Sequence, residues 1–210
     1  MVAALPLPPP LNGDIVGRAR MNVGTLLDEI RAQYLTEFLA ALSEAESNPG
    51  STVVAEGELV DAAGELVTEG LLDVGARADI VVIAPDGTRS IRVDSTRAIS
   101  FSPLDFRWAT GLSVRLQPFQ WDYCELNVFP SLQSPEGHSL AKWFRHWFEP
   151  RETLGSILGV PHFISDPEEN GTRQRYYIDL GTAPVQAFEE LLDACIDGGA
   201  TEVIIGSPPV

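Results

Sequence analysis

Residues 78–94, ADIVVIAPDGTRSIRVD, carry the signal that decides the fold class. Ile80, Val82, Ile91 and Val93 alternate with Val81, Ile83, Ser90 and Arg92 on either side of Asp86-Gly87, a dipeptide that tolerates the positive φ of a type I′ turn. A period of two around a turn pair predicts a β-hairpin. With a two-residue loop, Pro85 faces Thr88, Val82 pairs with Ile91, and Ile80 pairs with Val93. Those four apolar side chains then share one buried face, because successive residues of a strand point to opposite sides.

The same alternation extends outward. A second hairpin is expected over Gly111–Phe129, where Leu112, Val114 and Leu116, then Cys124, Leu126 and Val128, supply one apolar face. Matching these faces sets Arg115 opposite Glu125, with a loop around Pro118–Asp122. Thr52–Val60 and Glu65–Val74, turning around Asp61–Gly64, form a further candidate pair. Upstream the period changes to three and four. Val23, Leu27, Ile30, Tyr34, Phe38 and Leu42 predict a long amphipathic helix over Asn22–Ser47, capped by Asn22 or Thr25 and ended by Asn48-Pro49-Gly50. Residues 1–20, with proline at 6, 8, 9 and 10, carry no period and read as an extended, partly disordered arm. Residues 21–210 read as one domain.

Downstream, Ser134, Pro135 and Glu136 suit the start of a short helix whose last turn holds Arg145 and His146 before Pro150. Residues 151–174 are expected to be mainly loop, with one short strand at 161–165. The chain closes as a strand (Arg175–Leu180), a helix (Pro184–Asp197) and a strand (Thr201–Ile205), the two strands read as parallel neighbours. This order gives an α+β class: a single layered domain, a largely antiparallel sheet with helices packed against it, and a C-terminal β-α-β unit.

Composition narrows the function classes. Among 210 residues, 30 acidic side chains against 14 basic ones give a formal charge of −16. Such a field repels phosphate backbones, and the basic residues do not cluster, so no nucleic-acid partner is expected. No apolar run approaches the roughly 20 residues needed to span a bilayer, and the first residues lack the pattern of a signal peptide, so a cytoplasmic protein without a membrane partner is expected. Cys124 and Cys195 form no CxxC and read as buried thiols.

Candidate sites are few. His162 lies near Asp166, Glu168 and Glu169, where imidazole and carboxylates gather in sequence. This pattern suits a general base oriented by Asp166 or a partial metal site, against the plainer reading of a histidine beside a solvated acidic loop. Asp179 ends a strand just before Gly181-Thr182, where α/β sheets often place functional groups, and Gly181-Thr182 itself reads as a helix cap. No HExxH, HxH or paired-cysteine motif is present, so neither a metal nor a cofactor is assigned. Gly137-His138-Ser139-Leu140-Ala141 lacks the second glycine of a nucleophile elbow. Leu140, Trp143, Phe144, Trp147 and Phe148 form an apolar helix stripe, read as core packing in preference to a partner anchor. Glu168 and Glu169 belong to the acidic surface that a basic protein partner would use. Two function classes follow. The composition favours a non-catalytic protein-binding domain of immunity, chaperone or adaptor type. The alternative is a small hydrolase or metal-dependent enzyme using His162, Asp166 and Asp179.

Overall fold

A computed structural model describes residues 15–61, 67, 76–94, 98–109, 111–132, 139–150 and 157–207, with 15–22 as backbone only. The expected helix is α1 (Ile15–Glu46), whose stripe of Val23, Leu27, Ile30, Tyr34, Phe38 and Leu42 is buried. It starts upstream of Asn22 and Thr25, which are therefore interior residues and not caps, and residues 15–20 are helix and not arm. Ser47 closes it by donating its backbone N–H to Ser43, and Gly50 follows at φ 85°.

A three-stranded sheet has the order β1-β2-β3, with β1 (Thr52–Ala55), β2 (Ile80–Ala84) and β3 (Gly87–Ile91) all antiparallel. Ile80 and Val82 are buried while Ile83 is exposed, as the alternation requires. The pairing differs from expectation by two residues: Ile80 faces Ile91, Val82 faces Arg89 and Ala84 faces Gly87. The turn is therefore Pro85-Asp86. Proline's fixed negative φ fits the first turn position, and Asp86 does not take the positive φ that a type I′ Asp-Gly turn needs. A shift by two keeps every side chain on its face, so the apolar pattern could not detect it. The strand β1 pairs with β2, and of the proposed partner Glu65–Val74 only Val67 lies within the described residues.

The larger sheet runs β4-β5-β10-β6-β9-β7, with β8 on β9. Its strands are β4 (Leu104–Trp108), β5 (Leu112–Leu116), β6 (Cys124–Phe129), β7 (Phe163–Ile164), β8 (Glu168–Asn170), β9 (Arg173–Asp179) and β10 (Glu202–Gly206). The expected β5–β6 hairpin does not form, because β10 lies between them, parallel to β5 and antiparallel to β6. Arg115 consequently faces Asp105 and Ile204, and Glu125 faces Tyr177. The apolar segment Val203–Ile205 occupies a central position with both edges paired, Val203 and Ile205 buried and Ile204 half-buried on the opposite face. The strands β9 and β10 run in the same direction with β6 between them, so the C-terminal β-α-β unit is split and its strands are not neighbours. The acidic segment around 168 is no loop: β8 and β9 form a hairpin around Gly171, with Glu168 paired to Arg175.

Two helices cover the apolar face of this sheet: α2 (Ser139–Phe148) and α3 (Val185–Asp197). Residues Ser134–His138 lie outside the described residues. Trp143 is buried between these helices and donates its indole N–H to the Ala187 carbonyl at 2.8 Å. Trp147 is half-buried and bonds Glu190 at 2.9 Å. One apolar cluster joins α1, both sheets, α2 and α3, as a single α+β domain requires.

Candidate functional site

The feature that joins these layers is polar. His162 is 1% exposed, and its Nε2 lies 2.9 Å from Glu56 Oε1. Its Nδ1 sits 3.3 Å from Asp79 Oδ1 and 3.8 Å from Asp179 Oδ2. The first is an ion-pair distance without hydrogen-bond alignment, and Nδ1 has no aligned partner. Each of the three carboxylates comes from a different place. Glu56 follows β1 in a left-handed conformation (φ 51°), Asp79 precedes β2, and Asp179 ends β9.

Local structure holds these groups firmly. Glu56 accepts from the Thr182 hydroxyl at 2.6 Å and from the Leu158 backbone N–H. Asp79 accepts from the Tyr34 hydroxyl of α1 and, at 2.8 Å, from the Val93 backbone N–H. Asp179 accepts from the Gly181 N–H at 2.8 Å. The backbone is braced too, since the His162 N–H donates to the Asp179 carbonyl at 2.9 Å and the Arg77 N–H donates to the His162 carbonyl at 3.3 Å. Gly181 packs against the imidazole ring, and a Cβ there would lie 2.4 Å from His162 Cδ2. Thr182 therefore serves Glu56 and not the helix, whose N-cap is Pro184 without a side-chain bond.

Burial and charge act in opposition here. Burial disfavours a charged imidazole, but Asp179, Asp79 and Glu56 together outweigh it and raise His162 to about 10. The ring is an imidazolium at neutral pH. Burial pushes the Asp179 carboxyl up to about 7, helped by Asp79 and Asp122 and opposed by His162. Burial also pushes Asp79 upward, yet the adjacent His162 cation and the bonds from Tyr34 and Val93 prevail and hold it below the usual range. The Tyr34 hydroxyl is raised by burial and by the same carboxylates.

A pocket of about 340 Å³ opens beside this cluster, between the end of the small sheet and the polar face of β9. Asp79, Asp122 and Asp179 line it, with Arg77, Arg92, Tyr123, Tyr177 and Phe163. His162 stands behind that wall, whereas the Asp179 side chain is 14% exposed. Of the residues singled out from sequence, His162 and Asp179 are thus brought together. Asp166 is exposed on the segment between β7 and β8 and bonds none of the cluster by its side chain. Glu169 accepts from Gln174 at 2.7 Å, so it and Glu168 belong to the β8–β9 hairpin. Sequence reasoning missed Glu56, Asp79, Tyr34 and Thr182. Among the described residues no group of three His, Cys, Asp or Glu side chains is arranged to hold a metal ion, and no helix is long and apolar enough to cross a membrane. No protein-family model, curated protein or solved structure matches the chain.

Proposed function

We propose that the chain is a small hydrolase working at this pocket, with Asp179 as the proton-transferring group and His162 as the buried cation that positions it. The supporting observation is the carboxylate at the end of β9, lining a cavity of about 340 Å³ and 3.8 Å from His162 Nδ1. Cavities of this kind, with convergent polar groups and a displaced titration, are where ligands bind and protons move. Asp179 Oδ1 is fixed by Gly181, Oδ2 lies 3.8 Å from His162 Nδ1, and the residue lines the cavity. A carboxyl titrating at about 7 is matched to acid–base work at neutral pH. In the proposed step Asp179 takes a proton from water as that water adds to an electrophilic carbon or phosphorus. It returns the proton to the leaving group as the old bond breaks.

The test compares wild type with Asp179→Asn on chromogenic esters, amides and phosphoesters from about pH 5 to about pH 9. Turnover of one class, with a rate that follows a single ionisation near neutrality and is lost in Asp179→Asn, supports the reading. Turnover that survives Asp179→Asn, or none in any class, rejects it.

A second reading, a non-catalytic domain for a basic protein partner, is supported by the charge of −16. Association with a basic protein that slows steeply with salt supports this reading, and a flat salt response removes it.

A further inference from the structure

The two arginines that line the pocket with Asp179 are not alike. Arg77 is spent. Its guanidinium donates to the Glu56 carbonyl at 2.9 Å and to Glu58 at 3.1 Å, lies over the Phe148 ring, and is only 7% exposed. Arg92, which follows β3, is exposed and makes no side-chain hydrogen bond or ion pair among the described residues. Other arginines of the chain are committed. Arg31 bonds the Thr182 and Ala183 carbonyls, Arg107 bonds the Gly111 carbonyl, Arg115 pairs with Asp105, and Arg175 pairs with Glu168. In a chain with 30 acidic side chains against 14 basic ones, a guanidinium left without a carboxylate beside a pocket is open to an anion from solution.

The carboxylates that share the pocket do not cancel this charge. Asp79 and Asp122 are 3% and 2% exposed and already engaged. Asp179 keeps its proton up to about 7, because burial, helped by Asp79 and Asp122, outweighs the facing His162 imidazolium and the Gly181 N–H. Tyr34 of α1 adds only a hydroxyl, spent on Asp79. Below that pH Asp179 meets an incoming anion as a hydrogen-bond donor. Much of the remaining lining is aromatic. Tyr123, 39% exposed, stacks on Tyr177 with ring centroids 5.7 Å apart and planes 9° from parallel, and half-buried Phe163 lines the same pocket.

From this juxtaposition we infer that Arg92 is the specificity-determining residue of the site, holding an anionic group, a carboxylate or a phosphate, of a small substrate with an aromatic body. The planar fork of a guanidinium matches either group with two parallel bonds. Tyr123, Tyr177 and Phe163 offer the ring its packing surface. A volume of about 340 Å³, at the small end of ligand cavities, suits one ring with its substituents. The inference rests on the hydrolase reading, for which it names the substrate class: the anionic group lies toward Arg92 and the scissile bond toward Asp179.

Nitrogen-15-labelled full-length protein is titrated at about pH 6 with benzoate and phenyl phosphate, and with their neutral counterparts benzamide and phenol, following the Gly181 and Tyr123 backbone amides by NMR. At least one of the two anions shifts both signals saturably, and its neutral counterpart binds about tenfold or more weakly. Whichever anion binds more tightly identifies the group as carboxylate or phosphate. Arg92→Gln, a change at an exposed side chain, loses a similar factor, and Arg92→Lys, which keeps the charge without the fork, retains part of the affinity. Arg145→Gln, at an exposed arginine of α2 that does not line the pocket, binds as wild type does. The inference is overturned if neither anion shifts these signals by about 10 mM. It is equally overturned if each neutral counterpart binds as well as its anion, or if Arg92→Gln weakens binding no more than Arg145→Gln. Turnover plays no part in this readout. A hydrolase that ignores both anions loses only the substrate class, and anion binding without turnover of any chromogenic substrate removes the hydrolase reading alone.

Discussion

Gly181→Ala tests whether the packing around His162 is as tight as the distances state. The residue sits at φ +49°, and a Cβ would lie 2.5 Å from His162 Nε2 and 2.6 Å from the Val160 carbonyl oxygen. A left-handed alanine costs roughly 1–2 kcal/mol. The carbonyl is backbone and the ring is buried, so the ring must move, which breaks its charged bond to Glu56 at a cost of about 1.5–3 kcal/mol. Reduced freedom of the unfolded chain offsets about 0.4–1 kcal/mol of this. The net expectation is about 2–4 kcal/mol, a sizeable part of a domain's total stability. Two control glycines separate the contributions. Gly171 has a left-handed φ of +65° with nothing within 4 Å of its Cβ position, so its alanine variant isolates the backbone cost. Gly111 has neither a left-handed φ nor a neighbour, so its alanine variant stays within about 0.5 kcal/mol of wild type. The assay is guanidinium denaturation of all three variants near pH 6, where His162 is charged. If Gly181→Ala destabilises no more than Gly171→Ala, the ring is not wedged as described.

Trp143→Ala, which removes a buried indole and its bond to Ala187, should cost about 3–5 kcal/mol, whereas half-buried Trp147→Ala should cost about 1–2 kcal/mol; denaturant melts check both. Val82→Asp should prevent folding while Ile83→Asp is tolerated, because Val82 is 2% and Ile83 46% exposed; circular dichroism of the two variants decides. The cluster also makes stability depend on pH. His162, raised from 6.5 to about 10, contributes stability that is complete below 6.5 and lost as pH climbs to 10. Asp179, raised from 3.8 to about 7, binds its proton more tightly when folded, so stability falls as pH rises across that interval. Asp179→Asn should abolish the fall between pH 4 and 7 in melts across pH, and an unchanged slope would disprove the assignment.

What the sequence revealed follows from what periodicity can encode. The alternation in Ile80–Ile83 and the stripe from Val23 to Leu42 report which face is buried, and the structure buries those faces. Periodicity is blind to partner identity. Shifting β2 against β3 by two residues, or placing β10 between β5 and β6, leaves every inward side chain inward. The strand β4, with no turn dipeptide beside it, escaped notice for the same reason. At the site, His162 and Asp179 drew attention because they sit near other polar residues or at a strand end. Glu56 lies 106 residues from His162, and only the fold brings them together. Two signals were nonetheless available. Tyr34 lies on an otherwise apolar helix stripe, where a buried hydroxyl must find a partner, and Asp79 directly precedes the apolar run Ile80–Ile83.

The most direct test of the account is the titration of the Asp179 carboxyl itself, followed by carbon-13 NMR of selectively labelled protein in wild type and in His162→Gln. Half-titration near 7 in wild type, rising further when the imidazolium is removed, is the expected result. A carboxyl titrating near its ordinary 3.8, and indifferent to His162→Gln, would contradict the pocket as an acid–base site.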